Sequence, residues 1–317
     1  MLALLRPFLI LLALALPALA EEPASSPEFS QKGFFFGVGY APEYFHWHET
    51  SRDQWLVVAR NVRLADTVAV GYGPNHRFVT EDGWRHRFSV TGGYRFDQMF
   101  SVQARATYLY AAVHYDGGLQ STDSLELVTP AQYYEDAYGN AYPVYKASSV
   151  AYTAVTGYSG WQFDAAVRGE IPLRSRLFLD ASLGWSHRSV KRMIDYDGAR
   201  SSNHGYDETW TLDWTEVGIG PEIRNRTWKA SLREICLFPI ASTENVDLTT
   251  QQFSLSPAAN NGWRTELSVE WTFGLRMALS YEQRDFSESP SVTVSGSTYS
   301  QPISVERAGR LDASWFF

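Results

Sequence analysis

The sequence predicts an all-β fold, a transmembrane antiparallel β-barrel of about ten strands with long extracellular loops and short periplasmic turns. Three observations carry this. Runs of ten or more residues alternate apolar with polar side chains, the pattern of a strand with lipid on one face and a lumen on the other. Aromatic residues make up 15% of the chain, with 11 Trp and 18 Tyr, yet beyond the N-terminus no apolar run is long enough to cross a bilayer as a helix. The last strand places Leu311, Ala313, Trp315 and Phe317 on one face and Arg310, Asp312 and Ser314 on the other.

The two ends read as addresses. Arg6, the apolar run Leu9 to Leu16, Pro17 and the small-residue pattern Ala18-Leu19-Ala20 form a secretory signal peptide, with cleavage expected before Glu21. Residues 21–32, rich in Glu, Pro and Ser, are expected to be a periplasmic tail, and 33–317 the barrel. A strand ending in an aromatic residue with apolar residues at alternate positions resembles the C-terminal signal read by the outer-membrane barrel assembly machinery. The expected location is therefore the outer membrane of a Gram-negative bacterium, among its lipid and lipopolysaccharide.

The strands follow in order. The first rises from Gly33 through Phe36, Val38 and Tyr40 toward Glu49, and residues 50–83 are expected to form a long outer segment. Trp84, His86, Phe88, Val90 and Tyr94 then face lipid against Arg85, Arg87, Ser89 and Arg95. A tight turn at Asp97-Gln98 leads back through Phe100, Val102, Ala104 and Tyr108. A second outer loop is expected over about 116–155. Trp161, Phe163 and Val167 descend to Pro172, and Leu177, Leu179, Leu183 and Trp185 ascend. Trp210, Leu212 and Trp214 open the next strand, whose alternation slips near Glu216, where a bulge is expected. A rising strand from Trp228, an outer loop after Ala241, the pair Trp263–Phe273 and Leu275–Arg284, and a Ser- and Pro-rich loop complete the set.

The inward positions carry both signs of charge: Arg85, Arg87, Arg95, Arg105, Asp164, Arg168, Glu170, Asp180, Arg264, Glu266, Glu270, Arg276, Glu282, Arg284, Arg310 and Asp312. Buried charges persist when paired and hydrogen-bonded, and a ten-strand barrel is narrow, so a lumen closed by ion pairs is expected. The lone Cys236 excludes an intramolecular disulfide and is read as a buried small hydrophobe in the run Ile235-Cys236-Leu237-Phe238. The formal charge of −8 argues against a nucleic-acid partner, which needs a basic face.

Few motifs bear on chemistry. The segment Glu43-Tyr44-Phe45-His46-Trp47-His48-Glu49 sets His46 and His48 on one face, but histidines at a barrel rim are common and no metal is expected. Glu43, Trp47 and Glu49 are the candidate binding residues. Tyr115-Asp116-Gly117 and Tyr196-Asp197-Gly198 read first as strand-ending turns. As chemistry they offer His114, Asp116, Asp195 and Asp197, acids that could act as a general base if two of them came close. No Gly-x-Ser-x-Gly, His-Glu-x-x-His or Cys-x-x-Cys pattern occurs, and no cofactor is expected.

Several runs continue for roughly fifteen residues where about 9–11 cross the apolar band, which is expected to raise the rim on the order of 10 Å above the membrane. This rim, the strand count and the length resemble the omptin outer-membrane proteases, a family that carries an Asp-x-Asp pair above its third strand and an Asp-x-His pair above its seventh. Here the first place, Asp116 to Ser124, has only Asp116 and Asp123 acidic, and the second reads Glu244-Asn245-Val246-Asp247 without a His. The likeness is one of architecture. In wording, the Glu43–Glu49 segment, Tyr115-Asp116-Gly117 and Gly160-Trp161 resemble uncharacterised outer-membrane barrels of proteobacteria, against which 50–83 looks like an insertion. The expected role is a closed, charged barrel that acts structurally or binds an extracellular ligand through its loops. The alternatives are a narrow porin-like channel for small solutes or ions, and an omptin-like hydrolase in a rim cleft.

Overall fold

The structure, a computed structural model, describes residues 32–57, 68–97, 99–127, 133–135, 139, 141–143, 145–196, 206–248, 251–295 and 297–317. In chain order the strands are β1 (Gly33–Val57), β2 (Val68–Arg95), β3 (Phe100–Leu127), β4 (Tyr133–Glu135), β5 (Ala141–Pro143), β6 (Tyr145–Pro172), β7 (Leu177–Tyr196) and β8 (Tyr206–Arg224). They continue with β9 (Trp228–Asp247), β10 (Gln252–Leu255), β11 (Gly262–Trp271), β12 (Leu275–Phe286), β13 (Val292–Val294), β14 (Ser297–Tyr299) and β15 (Ile303–Phe316). Ten of them, β1, β2, β3, β6, β7, β8, β9, β11, β12 and β15, pair antiparallel with their neighbours and close on themselves through β1–β15. Beyond the last strand, Phe317 donates its N–H to the carbonyl of Phe36 at 2.8 Å and extends that seam. The signal peptide and most of the tail, residues 1–31, lie outside the described residues.

The barrel is inside out relative to a water-soluble protein. On β2, Trp84 is 58% and Phe88 53% exposed, whereas Arg85 is 2% and Arg87 5% exposed. Such an exterior is stable only against hydrocarbon. Aromatic side chains mark both edges of the apolar band. Tyr44–Trp84 at 5.5 Å and Trp263–Tyr281 at 5.3 Å lie toward the outer edge, and Phe34–Tyr94 at 4.8 Å and Phe273–Trp315 at 5.7 Å toward the inner one.

The periplasmic links are short, running 96–99, 173–176, 225–227 and 272–274. In the first, Asp97 Oδ1 accepts the N–H groups of Met99 and Phe100, both at 2.7 Å, an Asx turn. In the last, Gly274 has φ +96°, and a Cβ there would stand 2.2 Å from the carbonyl oxygen of Phe316. Only glycine satisfies both conditions.

The outer side differs from the expectation. Residues 50–57 and 68–83, read as loop, continue β1 and β2, and much of 116–155 continues β3 and β6. β1, β2, β3 and β6 span 25, 28, 28 and 28 residues, against 10, 12 and 14 for β11, β12 and β15. With ~10 residues needed to cross the apolar band at ~45° tilt, the longest strands carry the sheet roughly 40 Å above the membrane. At its tip β1 also pairs with β6, through Trp55↔Lys146 and Leu56↔Tyr145, so the tall wall curls back on itself. β9 likewise runs past Ala241 to Asp247, and β10 takes the edge that β11 leaves above Gly262. The loops were misread because polar alternation continues where no lipid is present to impose an apolar face.

β8 does not slip at Glu216: Trp210, Leu212, Trp214 and Glu216 all occupy the inward row. The irregularity is on β9, where Asp213 pairs with Ala241 and Trp214 with Pro239, leaving Ile240 as the extra residue. Cys236 is exposed on the lipid face rather than buried, while Ile235 and Leu237 point inward. The run is apolar throughout because the lumen at that level is apolar too.

Candidate functional site: a layered lumen

The inward rows build the lumen in levels. Nearest the periplasm, Glu170 receives Arg95 at 3.0 Å, Arg224 at 2.5 Å and Lys229 at 3.1 Å, and Arg168 grips Asp180 at 2.6 Å. Above them Glu43 binds Arg85, Arg87 at 3.5 Å and Arg310 at 2.6 Å. Glu306 holds Arg85 at 2.9 Å, Arg188 at 2.6 Å and Arg284 at 3.5 Å, while Arg264 joins Glu216 at 2.6 Å to Glu282 at 3.2 Å. Most of the expected inward charges are paired; among the described residues Arg105, Asp164 and Asp312 are the exceptions, Asp164 accepting from Gln162 and Ser186 and Asp312 from Ser314 at 2.5 Å.

What the sequence reading lacked is an apolar layer resting on this network. Trp47, Trp210 and Phe286 form a ring cluster with centroid distances of 5.1, 5.4 and 5.7 Å. Phe45, Leu109, Val190, Leu212 and Trp214 extend it across the bore. Guanidinium groups face its rings: Arg85 over Phe45 at 4.5 Å, Arg284 over Trp214 at 4.1 Å and, from the extracellular side, Arg192 over Trp47 at 5.8 Å.

Above the layer four buried carboxylates gather near one cation. Arg192 donates to Glu208 at 2.6 Å, Glu81 at 2.8 Å and Glu49 at 3.1 Å. Glu81 also accepts from Thr156 at 2.9 Å and from Tyr158, and Trp47 donates Nε1–H to Glu49 at 2.7 Å. Glu244, 1% exposed, completes the group, and its Oε2 has no hydrogen-bond partner among the described residues. Burial, reinforced by the Glu208 and Glu49 carboxylates, pushes the Glu244 carboxyl well above its ordinary 4.5. Burial raises Glu208 as well, against the pull of Arg192. Arg192, Glu208 and Glu244 were missed because the strands continue beyond the apolar band. Their parity with Arg188, Trp214 and Leu237, adjusted for the bulge, is the signal that locates them.

A pH dependence follows. A carboxyl whose folded pKa is raised binds its proton more tightly in the folded state, so its contribution is most favourable below 4.5 and is lost as pH rises through the folded value. Glu244→Gln should therefore stabilise the barrel at pH 8 and flatten the decline in melting temperature above pH 5. Circular dichroism melts in detergent across that range test this, and parallel curves for the two proteins would refute it.

The predicted site residues divide. Glu43, Trp47 and Glu49 point inward and are buried, Glu43 in the ion-pair network and the other two at the apolar layer and the acidic group. His46 and His48 face outward with stacked rings 6.4 Å apart, and among the described residues no three His, Cys, Asp or Glu side chains converge as metal ligands. His114 Nε2 lies 3.2 Å from Asp116 Oδ1, but the two side chains are 55% and 59% exposed on the outer face of β3, continuing the row of Tyr110. They do not enter a cleft with the lumen acids. Asp195 pairs by its backbone with Val155 near the end of β7, and Asp197 lies outside the described residues.

No protein-family model matches the sequence, and no curated protein matches it. Solved structures do. The outer membrane protease OmpT of Escherichia coli superposes with a TM-score of 0.54 at 7% identity, over 92% of this chain and 99% of that one. The transport unit of the autotransporter AIDA-I of Escherichia coli aligns at 8% identity over 96% of both chains, with a TM-score of 0.37. A FadL homologue of Pseudomonas aeruginosa aligns at 9% identity over 90% of both chains, with a TM-score of 0.30. The chain has the fold of an outer-membrane β-barrel. In this outer-membrane barrel the bore holds, in order from the periplasm, ion pairs, an aromatic layer and buried acids.

Proposed function

We propose that this chain serves in the outer membrane as a closed barrel that carries a raised extracellular wall, acting as a structural or surface-binding protein rather than as a conduit. The observation that carries the reading is the layer of Trp47, Trp210 and Phe286, with Phe45, Leu212 and Trp214, seated on interlocked ion pairs. A hydrated ion crossing it would shed water without meeting a polar replacement. The wall of β1, β2, β3 and β6 supports the binding half of the proposal, since it presents sheet and aromatic sequence far from the bilayer. Its ligand would be a surface glycan, the surrounding lipopolysaccharide or a partner protein.

The test is single-channel recording of the purified protein in planar bilayers. Silence is expected over the range of potentials in which open porins conduct. Discrete, reproducible current steps would replace this proposal with the narrow-channel reading.

A further inference from the structure

The periplasmic end of the lumen is open where the extracellular half is filled. A cavity of about 300 Å³ lies there, with Phe34, Trp271, Phe316 and Phe317 at its mouth. Its polar lining is nearly all of one sign: Arg95, Arg105, Arg168, Lys229, Arg233 and Arg276, with Glu270 the only carboxylate lining it among the described residues. A smaller compartment of about 70 Å³ continues upward from it and shares Gln103, Arg105, Arg168 and Arg233.

Most of these cations are already engaged. Arg95 and Lys229 hold Glu170, Arg168 holds Asp180, and Arg233 and Arg276 converge on Glu266 at 2.6 and 2.7 Å. Arg105 is different. Among the described residues no carboxylate lies within ion-pair distance of it, although Asp164 is its cross-strand neighbour; that acid is taken by Gln162 at 2.8 Å and by Ser186. Arg233 is only partly engaged: besides Glu266 it faces Asp180 at 3.7 Å through its buried Nε, which makes no hydrogen bond among the described residues. Both residues line both compartments, so the two side chains border one space.

Half-buried Arg105 leaves its charge unbalanced in a lining that is nearly all cationic, and guanidinium forks match the oxygens of a phosphate. We propose that this vestibule is a binding site for a small phosphate-bearing anion that enters from the periplasm and is held by Arg105 and Arg233. The volume suits a compact ligand. The cationic lining lies on the lumen face of the sheet, so the proposed ligand is a soluble anion, and a lipid headgroup is an outcome of the test.

Isothermal titration of the full barrel in a non-ionic detergent, with inorganic phosphate and pyrophosphate as probes at constant ionic strength, tests the site. One saturable site per barrel is expected. Arg105→Gln should weaken it at least tenfold, Arg105→Lys should recover part of the loss, and Glu244→Gln, at the far end of the lumen, should leave it unchanged. Heat-modifiability on gels verifies that each variant is folded. Absence of saturable heat with either probe, or equal affinity in the folded Arg105→Gln barrel, would overturn the proposal; binding only of anionic phospholipid vesicles would overturn it too.

Discussion

Arg192→Met is expected to destabilise the barrel by about 3–5 kcal/mol at neutral pH, the range found when one partner of a buried ion pair is removed. Arg192 is 2% exposed and, among the described residues, is the one cation in ion-pair contact with Glu49, Glu81 and Glu208, with Glu244 close behind. Methionine fills much of the same volume against Trp47 and Tyr115, so the loss measured is that of charge rather than of packing. Four acids without a counterion should then take up protons. The deficit should shrink markedly between pH 8 and pH 5, because Glu208 and Glu244 already have raised pKa values and protonate first. Urea unfolding of the refolded barrel at the two pH values reads both effects. Equal midpoints for variant and parent at pH 8 would show that the acids are neutral without Arg192.

Glu306→Gln is expected to cost a similar amount, about 3–5 kcal/mol, with the opposite response to acid. Its two oxygens are shared among Arg85, Arg188 and Arg284, and the residue is 4% exposed. An amide retains one acceptor but cannot balance three guanidinium groups. Because arginine stays protonated, lowering the pH offers no rescue, whereas raising the salt concentration should give partial rescue by supplying counterions. Melts of this variant and of Arg192→Met across pH and salt would therefore diverge. A pH-dependent recovery in Glu306→Gln would mean that its arginines find other carboxylates.

The sequence was legible where the environment is uniform. Lipid imposes one rule on every outward residue of the band, so Phe88, Leu183 and Leu279 could be placed by parity alone, and the charged partners between them followed. Parity also places His114 and Asp116 on the outer face with Tyr110, a step that separates them from any lumen acid. The lumen obeys no single rule. Trp210, Leu212 and Trp214 look lipid-facing because aromatic and aliphatic side chains serve equally as packing inside a closed bore. Cys236 was misplaced for the same reason. Above the membrane the apolar constraint lapses, so strand and loop share a composition, and the extensions of β1, β2, β3 and β6 emerge only from pairing.

The span of the lumen contacts has a kinetic meaning. Glu43 and Arg310 are 267 residues apart, Arg85 and Glu306 221, and Arg188 and Glu306 118. None of these pairs can form until β1 and β15 meet, and until then each charge remains hydrated. Topology of this kind gives a high contact order, for which slow acquisition of the native state is the general rule. The first and last strands thus share responsibility for the final event of folding, the joint drying of Glu43, Arg85, Arg188, Glu306 and Arg310, and an open sheet that has already inserted would still lack these contacts.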